Sequence, residues 1–247
     1  MPLQVCAVMI TGKPGREYLA RMAIESFQAQ TYKPSRLLIV NDGAPLLNAP
    51  LDRVRELIAP PGMSLGRLRN FALDNMDRDV RYVVQWDDDD YSDPLRITWQ
   101  VGQVKGGAQK ATVLRFATHC NLHTGEMKIC TPTRRIKFGF AGTMMHAVPT
   151  PYRYPDAGKA EDTQFTQLWR NSGNVRVLIN DRFPTFYVRF FHGLNTWNEK
   201  HVMGFPTSGM KLSAVQRATV DRLRARYLSR LSAESCSPTP AAASCTP

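Results

Sequence analysis

The chain has no apolar run approaching the roughly 20 residues that cross a bilayer as a helix. Its opening Met1-Pro2-Leu3-Gln4 carries neither the charged nor the apolar region of a secretory signal. These absences argue against a helical membrane protein and lead to the expectation of a cytoplasmic one. Its five cysteines, Cys6, Cys120, Cys130, Cys236 and Cys245, stand apart without CxxC or CxxH spacing, so neither a zinc site nor a disulfide framework is indicated. Internal repeats are lacking. Negative charge is scarce as well, with 21 acidic against 32 basic side chains and a formal net charge of +11. Such an excess points to an anionic partner, and a nucleotide diphosphate, a nucleic acid and an anionic lipid surface all satisfy it.

Against that deficit, four carboxylates stand in a row at Asp87-Asp88-Asp89-Asp90, directly behind the apolar segment Tyr82-Val83-Val84-Gln85-Trp86. Adjacent like charges repel, which implies a cation. Mg²⁺ or Mn²⁺, held by one or two carboxylates and completed by substrate phosphates, is the usual relief. The alternative is a solvated acidic turn before a helix, since Asp93-Pro94 supplies an N-cap and an N1 proline. With 247 residues and 43% hydrophobic content the chain can bury one sizeable core.

Strand-length apolar runs at 5–10 and 36–40 alternate with helical spacing over 16–30 and 64–76, and the strand at 82–86 delivers the aspartates. Alternating strands and helices imply a mostly parallel sheet with right-handed crossovers. Ligands in such sheets collect at the carboxyl ends of strands, where Asp42 and the four aspartates fall. Farther on, 112–118 and 126–131 read as strands around a His-Thr-Gly turn, forming a small antiparallel layer. A helix is expected over 161–170, with Phe165, Leu168 and Trp169 buried and Gly173 closing it. Strands are expected at 175–179 and 185–191. The domain expectation is a catalytic unit over 1–210, a basic helix over 211–231 with Arg217, Arg222, Arg224, Arg226 and Arg230, and a disordered Ser/Pro/Ala/Thr-rich tail over 232–247.

In order, Val8-Met9-Ile10-Thr11, Ser26-Phe27-Gln28-Ala29-Gln30-Thr31-Tyr32, Leu38-Ile39-Val40-Asn41-Asp42-Gly43, Leu65-Gly66-Arg67-Leu68-Arg69-Asn70, the four aspartates with Pro94 behind them, and Glu161-Asp162-Thr163-Gln164-Phe165 resemble the motifs of family 2 glycosyltransferases with the GT-A fold. His192-Gly193-Leu194-Asn195-Thr196-Trp197 is similar to the H-G-x-N-T-W segment of a bacterial and phage subset. The resemblance spans roughly 5–202. It departs at Thr11-Gly12-Lys13-Pro14, where the family usually shows P-T-Y-N, and at Asn41, where it usually has aspartate.

The resemblance implies a metal-dependent inverting transferase using a nucleotide-diphosphate sugar. Asp89 would hold the metal, Asp87 the ribose or the metal, and His192 would supply a nitrogen ligand or a bond to the diphosphate. Asp88 and Asp90 would support them, and Thr11, Asp42, Arg69, Asp87 and Asp88 would make up the donor-binding set. Asp42 accepting from uracil N3–H, with Arg69 donating to base or phosphates, favours a UDP-sugar. An inverting transfer needs a base to take the acceptor's proton; Asp162 is the candidate, with Glu161 second. Structural alternatives stand beside each role: an Asx-turn at Asp42-Gly43, a packed or capping His192, an exposed helix charge at Arg69, and carboxylates favouring a helix N-terminus at Glu161 and Asp162. Arg134, Arg135 and Lys137 with the basic helix are candidates for the acceptor side, or a solvated face. The acceptor is then a hydroxymethylated pyrimidine in DNA, or a cell-envelope saccharide or lipid carrier reached by peripheral membrane contact. A sugar nucleotidyltransferase would need a glycine-rich phosphate loop, which Thr11-Gly12-Lys13-Pro14-Gly15-Arg16 does not match. A non-catalytic nucleic-acid-binding module leaves the carboxylates without a purpose.

Overall fold

A computed structural model describes residues 3–104, 109–132 and 138–235, the last three by backbone alone. Arg134, Arg135, Lys137, Cys236, Cys245 and the tail from 236 lie outside the described residues. The chain runs through β1 (Val5–Thr11), α1 (Glu17–Gln28), β2 (Ser35–Asn41), β3 (Val54–Ile58), α2 (Leu65–Asp74), β4 (Tyr82–Asp87), β5 (Tyr91–Ser92) and α3 (Arg96–Val104). It continues with β6 (Ala111–Leu114), β7 (Ala117–Asn121), β8 (Met127–Cys130), β9 (Met145–Ala147), α4 (Glu161–Asn171), β10 (Val175–Leu178), β11 (Tyr187–Phe191), α5 (Glu199–Met203) and α6 (Ala214–Ser235).

Seven strands form one sheet in the order β10-β6-β9-β4-β1-β2-β3. Every pair in it is parallel except the two that β9 makes with β4 and β6. The mostly parallel α/β sheet expected from the alternating pattern is therefore what forms. β1 and β4 are near-continuous apolar runs because helices cover both faces. On one face Ala23, Ile24 and Phe27 of α1 and Ile97 and Val101 of α3 pack on Val5, Met9, Val84 and Trp86. On the other, Leu68 and Ala72 of α2 pack on Val8, Leu38 and Val83.

A second sheet, β5-β11-β7-β8, stands beside the first. It is mixed: β7 is antiparallel to β8 and β5 to β11, while β11 runs parallel to β7. The single strand expected over 112–118 is two strands in two sheets. The break falls at Arg115-Phe116, where the Asn180 side chain accepts from Phe116 N and donates to Phe116 O, so the chain bonds a carboxamide in place of a neighbouring strand. β3 had no expectation, because Val54-Arg55-Glu56-Leu57-Ile58 is an edge strand with two of its five residues charged.

Helix α2 starts at Ser64, whose hydroxyl accepts from Arg67 N at 3.2 Å. Asp93 accepts from Leu95 N at 2.9 Å and opens the turn into α3. In α4, Phe165 and Trp169 are buried as expected, whereas Leu168 is 41% exposed: it falls on the outer face, one position before Trp169. α6 starts at a reciprocal box in which Ser213 and Gln216 each accept from the other's backbone N–H. Val220 and Tyr227 of α6 pack against Tyr18, Leu19, Met22 and Phe190, which binds the helix to the main body. Among the described residues no helix is long and apolar enough to cross a membrane.

Candidate active site

β4 ends between β1 and β9, and its carboxyl end projects the aspartates into the cleft above the sheet. The four alternate in environment. Asp87 and Asp89 border the cleft with 22% and 16% of their side chains exposed, while Asp88 and Asp90 are buried. Relief of their mutual repulsion comes first from arginines. Arg16 Nη2 lies 2.5 Å from Asp88 and 2.8 Å from Asp89. Arg69 Nη2 is 3.4 Å from Asp87, and Arg189 Nε is 3.6 Å from Asp90. The cation implied by the acidic run is thus at least partly supplied by the chain itself.

Burial pushes the Asp88 carboxyl up to about 7 despite the opposing pull of Arg16. Burial also makes ionisation of Asp89 costly, but Arg16 and the hydrogen bond from His192 outweigh it and hold this carboxylate below its ordinary range. Asp90 is raised well above the ordinary value by burial and the neighbouring Asp89 charge. Tyr187 Oη lies 2.5 Å from Asp90 and 2.7 Å from Asp87. A phenol has one proton, so it donates to one carboxylate and accepts from the other. A protonated Asp90 donating to Tyr187, which donates to Asp87, satisfies all three groups.

The Leu65-Gly66-Arg67-Leu68-Arg69-Asn70 segment forms α2 and aims Arg69 inward. Its Nε donates to Glu161 at 2.8 Å, and its fork meets Asp87, so a buried guanidinium joins two carboxylates from distant segments. Arg69 was expected to donate to base or phosphates; here its fork is committed to these protein carboxylates. Glu161 is 2% exposed and raised by burial. Asp162, next along, stays at the cleft, accepting from Thr163 N at 2.6 Å. The two acids open α4, where the helix dipole favours negative charge. The residue before them, Ala160, is held in the left-handed region at φ 59° without a side-chain cap, a strained entry that turns Glu161 inward.

His192 lies just beyond β11. Its Nδ1 accepts from Leu194 N at 3.2 Å, so in the neutral ring Nε2 carries the proton and donates to Asp89 at 3.1 Å. Both nitrogens are engaged within the chain, Nδ1 by its lone pair and Nε2 by its proton. Asn195 also approaches Asp89, at 3.4 Å. Among the described residues no three His, Cys, Asp or Glu side chains gather as a metal-holding group. Asp89 Oδ1 nevertheless accepts no hydrogen bond among the described residues and borders the cleft. Asp89, with Asp87 beside it, would be the residue to hold a hard divalent cation, whose preference is for such oxygen ligands.

At the end of β2, the Asx-turn is made by Asn41 and not by Asp42. Asn41 Oδ1 accepts from Gly43 N at 2.8 Å, and its Nδ2 donates to Glu56 at 2.7 Å. An aspartate at 41 would face Glu56 with like charge, whereas the Asn41 carboxamide donates to it. Asp42 is left exposed on the cleft. Gly12, at φ 132°, lies so close to Asn41, Asp42 and Gly43 that a side chain would collide with all three.

These groups line a cavity of about 310 Å³. It gathers Thr11, Asp42, Arg69, Glu161, Asp162 and all four aspartates, but not the His192 ring, which supports Asp89 from outside the lining. Lys13, Arg16, Lys159, Arg189 and Trp197 line it too and had no assigned place in the donor site. Arg16 was the discoverable one, since an acidic run within a basic chain requires nearby cations.

No family model and no curated relative matches the sequence. Among solved structures, Staphylococcus aureus TarS 1–349 in complex with UDP-GlcNAc superposes with a TM-score of 0.55 at 16% identity, covering 90% of this chain and 66% of that one. The same TarS fragment in complex with UDP gives 0.56 at 15% identity, covering 76% and 61%. The longer TarS chain gives 0.54 at 15% identity, with 75% and 36% covered. This chain therefore spans about two thirds or less of the TarS chains it resembles. At such identity the likeness is one of fold, and the GT-A architecture expected from the sequence is the one that TarS shares.

Proposed function

We propose that this chain transfers a sugar, with inversion, from a nucleotide-diphosphate donor, a UDP-sugar in the first instance, to an acceptor hydroxyl. The observation that carries this is the position of Asp162. It lines the carboxylate-rich cavity and also a second, adjoining one, so it lies where donor and acceptor would meet. The TarS complexes with UDP and UDP-GlcNAc lend weight to a nucleotide-sugar in this fold.

In this mechanism Asp42, free of the turn that Asn41 makes, accepts from the base edge. Thr11 and Asp88 support the donor side, their side chains joined by a 2.9 Å hydrogen bond. As the glycosidic bond breaks, negative charge grows on the departing diphosphate, and Lys13, Arg16, Lys159 and Arg189 line the cavity to offset it. A bound Mg²⁺ or Mn²⁺, held by Asp89 with Asp87 beside it, would supply further Lewis-acid neutralisation. His192 and Asn195 hold the Asp89 carboxylate in place. Asp162 takes the acceptor's proton from the face opposite the leaving group, while Glu161, tied to Arg69, fixes the start of α4. The catalytic unit is residues 1–210, closed by the basic helix.

A DNA acceptor was suggested by that helix. Its arginines are largely committed elsewhere: Arg224 donates to Leu122 O and His123 O, and Arg226 and Arg230 both pair with Glu25. Among the described residues the DNA branch gains no support beyond the basic charge that suggested it, and we favour a cell-envelope saccharide or lipid carrier.

The test is nucleotide release from UDP-, GDP- and TDP-sugars with Mn²⁺, alongside calorimetric UDP binding. Asp162→Asn is expected to lose about 10²–10⁴-fold in turnover and to keep UDP affinity, whereas Asp89→Ala loses metal-assisted UDP affinity. Unchanged turnover in Asp162→Asn removes the base; absence of UDP uptake by the wild-type protein removes the donor.

A further inference from the structure

We propose that the second cavity receives a saccharide acceptor, with the sugar lying against aromatic faces and one hydroxyl turned toward Asp162. This rests on the donor assignment above and names the substrate class for its other side. The cavity holds about 650 Å³ and shares Asp87, Ala160, Asp162, Arg189 and Trp197 with the donor cavity. A ligand in each would be separated only by this common wall.

The lining is that of a site for a ring with polar substituents. Trp197 stacks on His201 with centroids 4.1 Å apart and planes 16° apart. The Arg170 guanidinium lies 3.8 Å over the Phe138 ring, making a second flat surface. Between them the first turns of α4 line the cavity with Thr163, Thr166 and Gln167, which bond Asp162, Met144, Asn171 and Arg170 and keep further hydrogen-bonding capacity. Flat aromatic and guanidinium surfaces interleaved with hydroxyl and amide groups match a pyranose, which offers C–H faces above and below an equator of hydroxyls.

Charge separates the competitors. Among the described residues the cavity carries two carboxylates, Asp87 and Asp162, against two guanidiniums, Arg170 and Arg189, and Arg189 already faces Asp90. A polynucleotide draws its affinity from a surplus of cations along its phosphates, and the described lining provides none. Helix α6 contributes no lining residue. A lipid tail would have to desolvate four charged side chains without pairing any of them.

Full-length protein saturated with UDP and Mn²⁺ is titrated, by saturation-transfer NMR, with a panel of mono- to tetrasaccharides, with single-stranded and duplex DNA, and with phosphatidylglycerol vesicles. Saccharide binding is expected. It should weaken at least about tenfold, as good hydrogen-bond and packing contacts do when lost, in Gln167→Trp, which fills the cavity, and in Arg170→Ala, which removes one flat face. Both side chains stand outside the core, and thermal melts with UDP titration confirm that each variant is folded. UDP uptake with no saccharide bound overturns the acceptor class and leaves the donor assignment intact, while failure of UDP uptake strikes the donor assignment itself. Saccharide affinity untouched by both variants places the sugar elsewhere and overturns the proposal. So does DNA or vesicle binding that Gln167→Trp abolishes.

Discussion

Asp88 and Asp89 are neighbours with opposite titration behaviour, and the cause is which of them has the stronger cationic company. Asp88 is buried, with Thr11 and Arg16 unable to offset its desolvation fully, whereas Asp89 shares Arg16 and gains His192. Because the Asp88 carboxyl is raised in the folded state, the folded protein binds a proton that the unfolded chain releases. That contribution is complete below the ordinary carboxylate range near pH 4 and is lost as pH rises through about 7. Asp88→Asn, a neutral near-isostere, should therefore show a flatter dependence of unfolding free energy on pH between about 4 and 7 than the wild-type protein. Urea denaturation at several pH values measures it. Parallel slopes for the two proteins would mean that Asp88 is ionised throughout. Arg16 is also the residue whose Nε lies buried without a partner among the described residues, so its ion pairs on Nη2 are made at a cost in unmet hydrogen bonding.

Among the elements, α6 carries both a basic pattern and an apolar stripe. Its arginines were candidates for the acceptor side or a solvated face, while its apolar residues dock it on the main body. Tyr227 is 1% exposed and meets the Phe190 ring at 4.4 Å, next to the strand that leads to His192. Tyr227→Ala should cost about 3–5 kcal/mol, the usual range for removing a buried aromatic. Arg222→Ala, whose one side-chain bond is to Thr219 within the helix, should stay within about 0.5 kcal/mol. Chemical denaturation of the two variants decides between a structural brace and a solvated appendage; equal, small effects would establish the appendage. The exposed pairs of Arg226 and Arg230 with Glu25 add little to that energy, but they explain where the positive charge of this face goes.

At the scale of the whole molecule, the formal charge of +11 coexists with a cleft whose floor is acidic. Lys13 and Lys159 stand exposed at its border, so an anionic nucleotide meets cations before carboxylates. Association of UDP should accordingly slow as ionic strength rises from about 0.01 to 0.15 M, over which the screening length falls from about 30 to 8 Å. Stopped-flow binding measures this, and an association rate indifferent to salt would show that the field of the molecule does not reach the donor.

What the sequence determined by itself is the part governed by short-range rules. The apolar runs of β1, β2 and β4, the helical spacing of α1, α2 and α4, and the delivery of carboxylates to strand ends all follow from periodicity within a few residues. The parallel sheet is their necessary consequence. Tertiary structure alone decided who neutralises whom. Arg16 meets Asp88 across 72 positions and Arg69 meets Glu161 across 92, while Asn41 serves Glu56 on an edge strand that no pattern announced. The same holds for the division of 112–118 between two sheets and for the wall that Asp162 shares between two cavities. A carboxylate's partner depends on distances set only when the sheet closes, and burial, which sets the cost of its charge, is a property of the packed molecule that no local spacing contains.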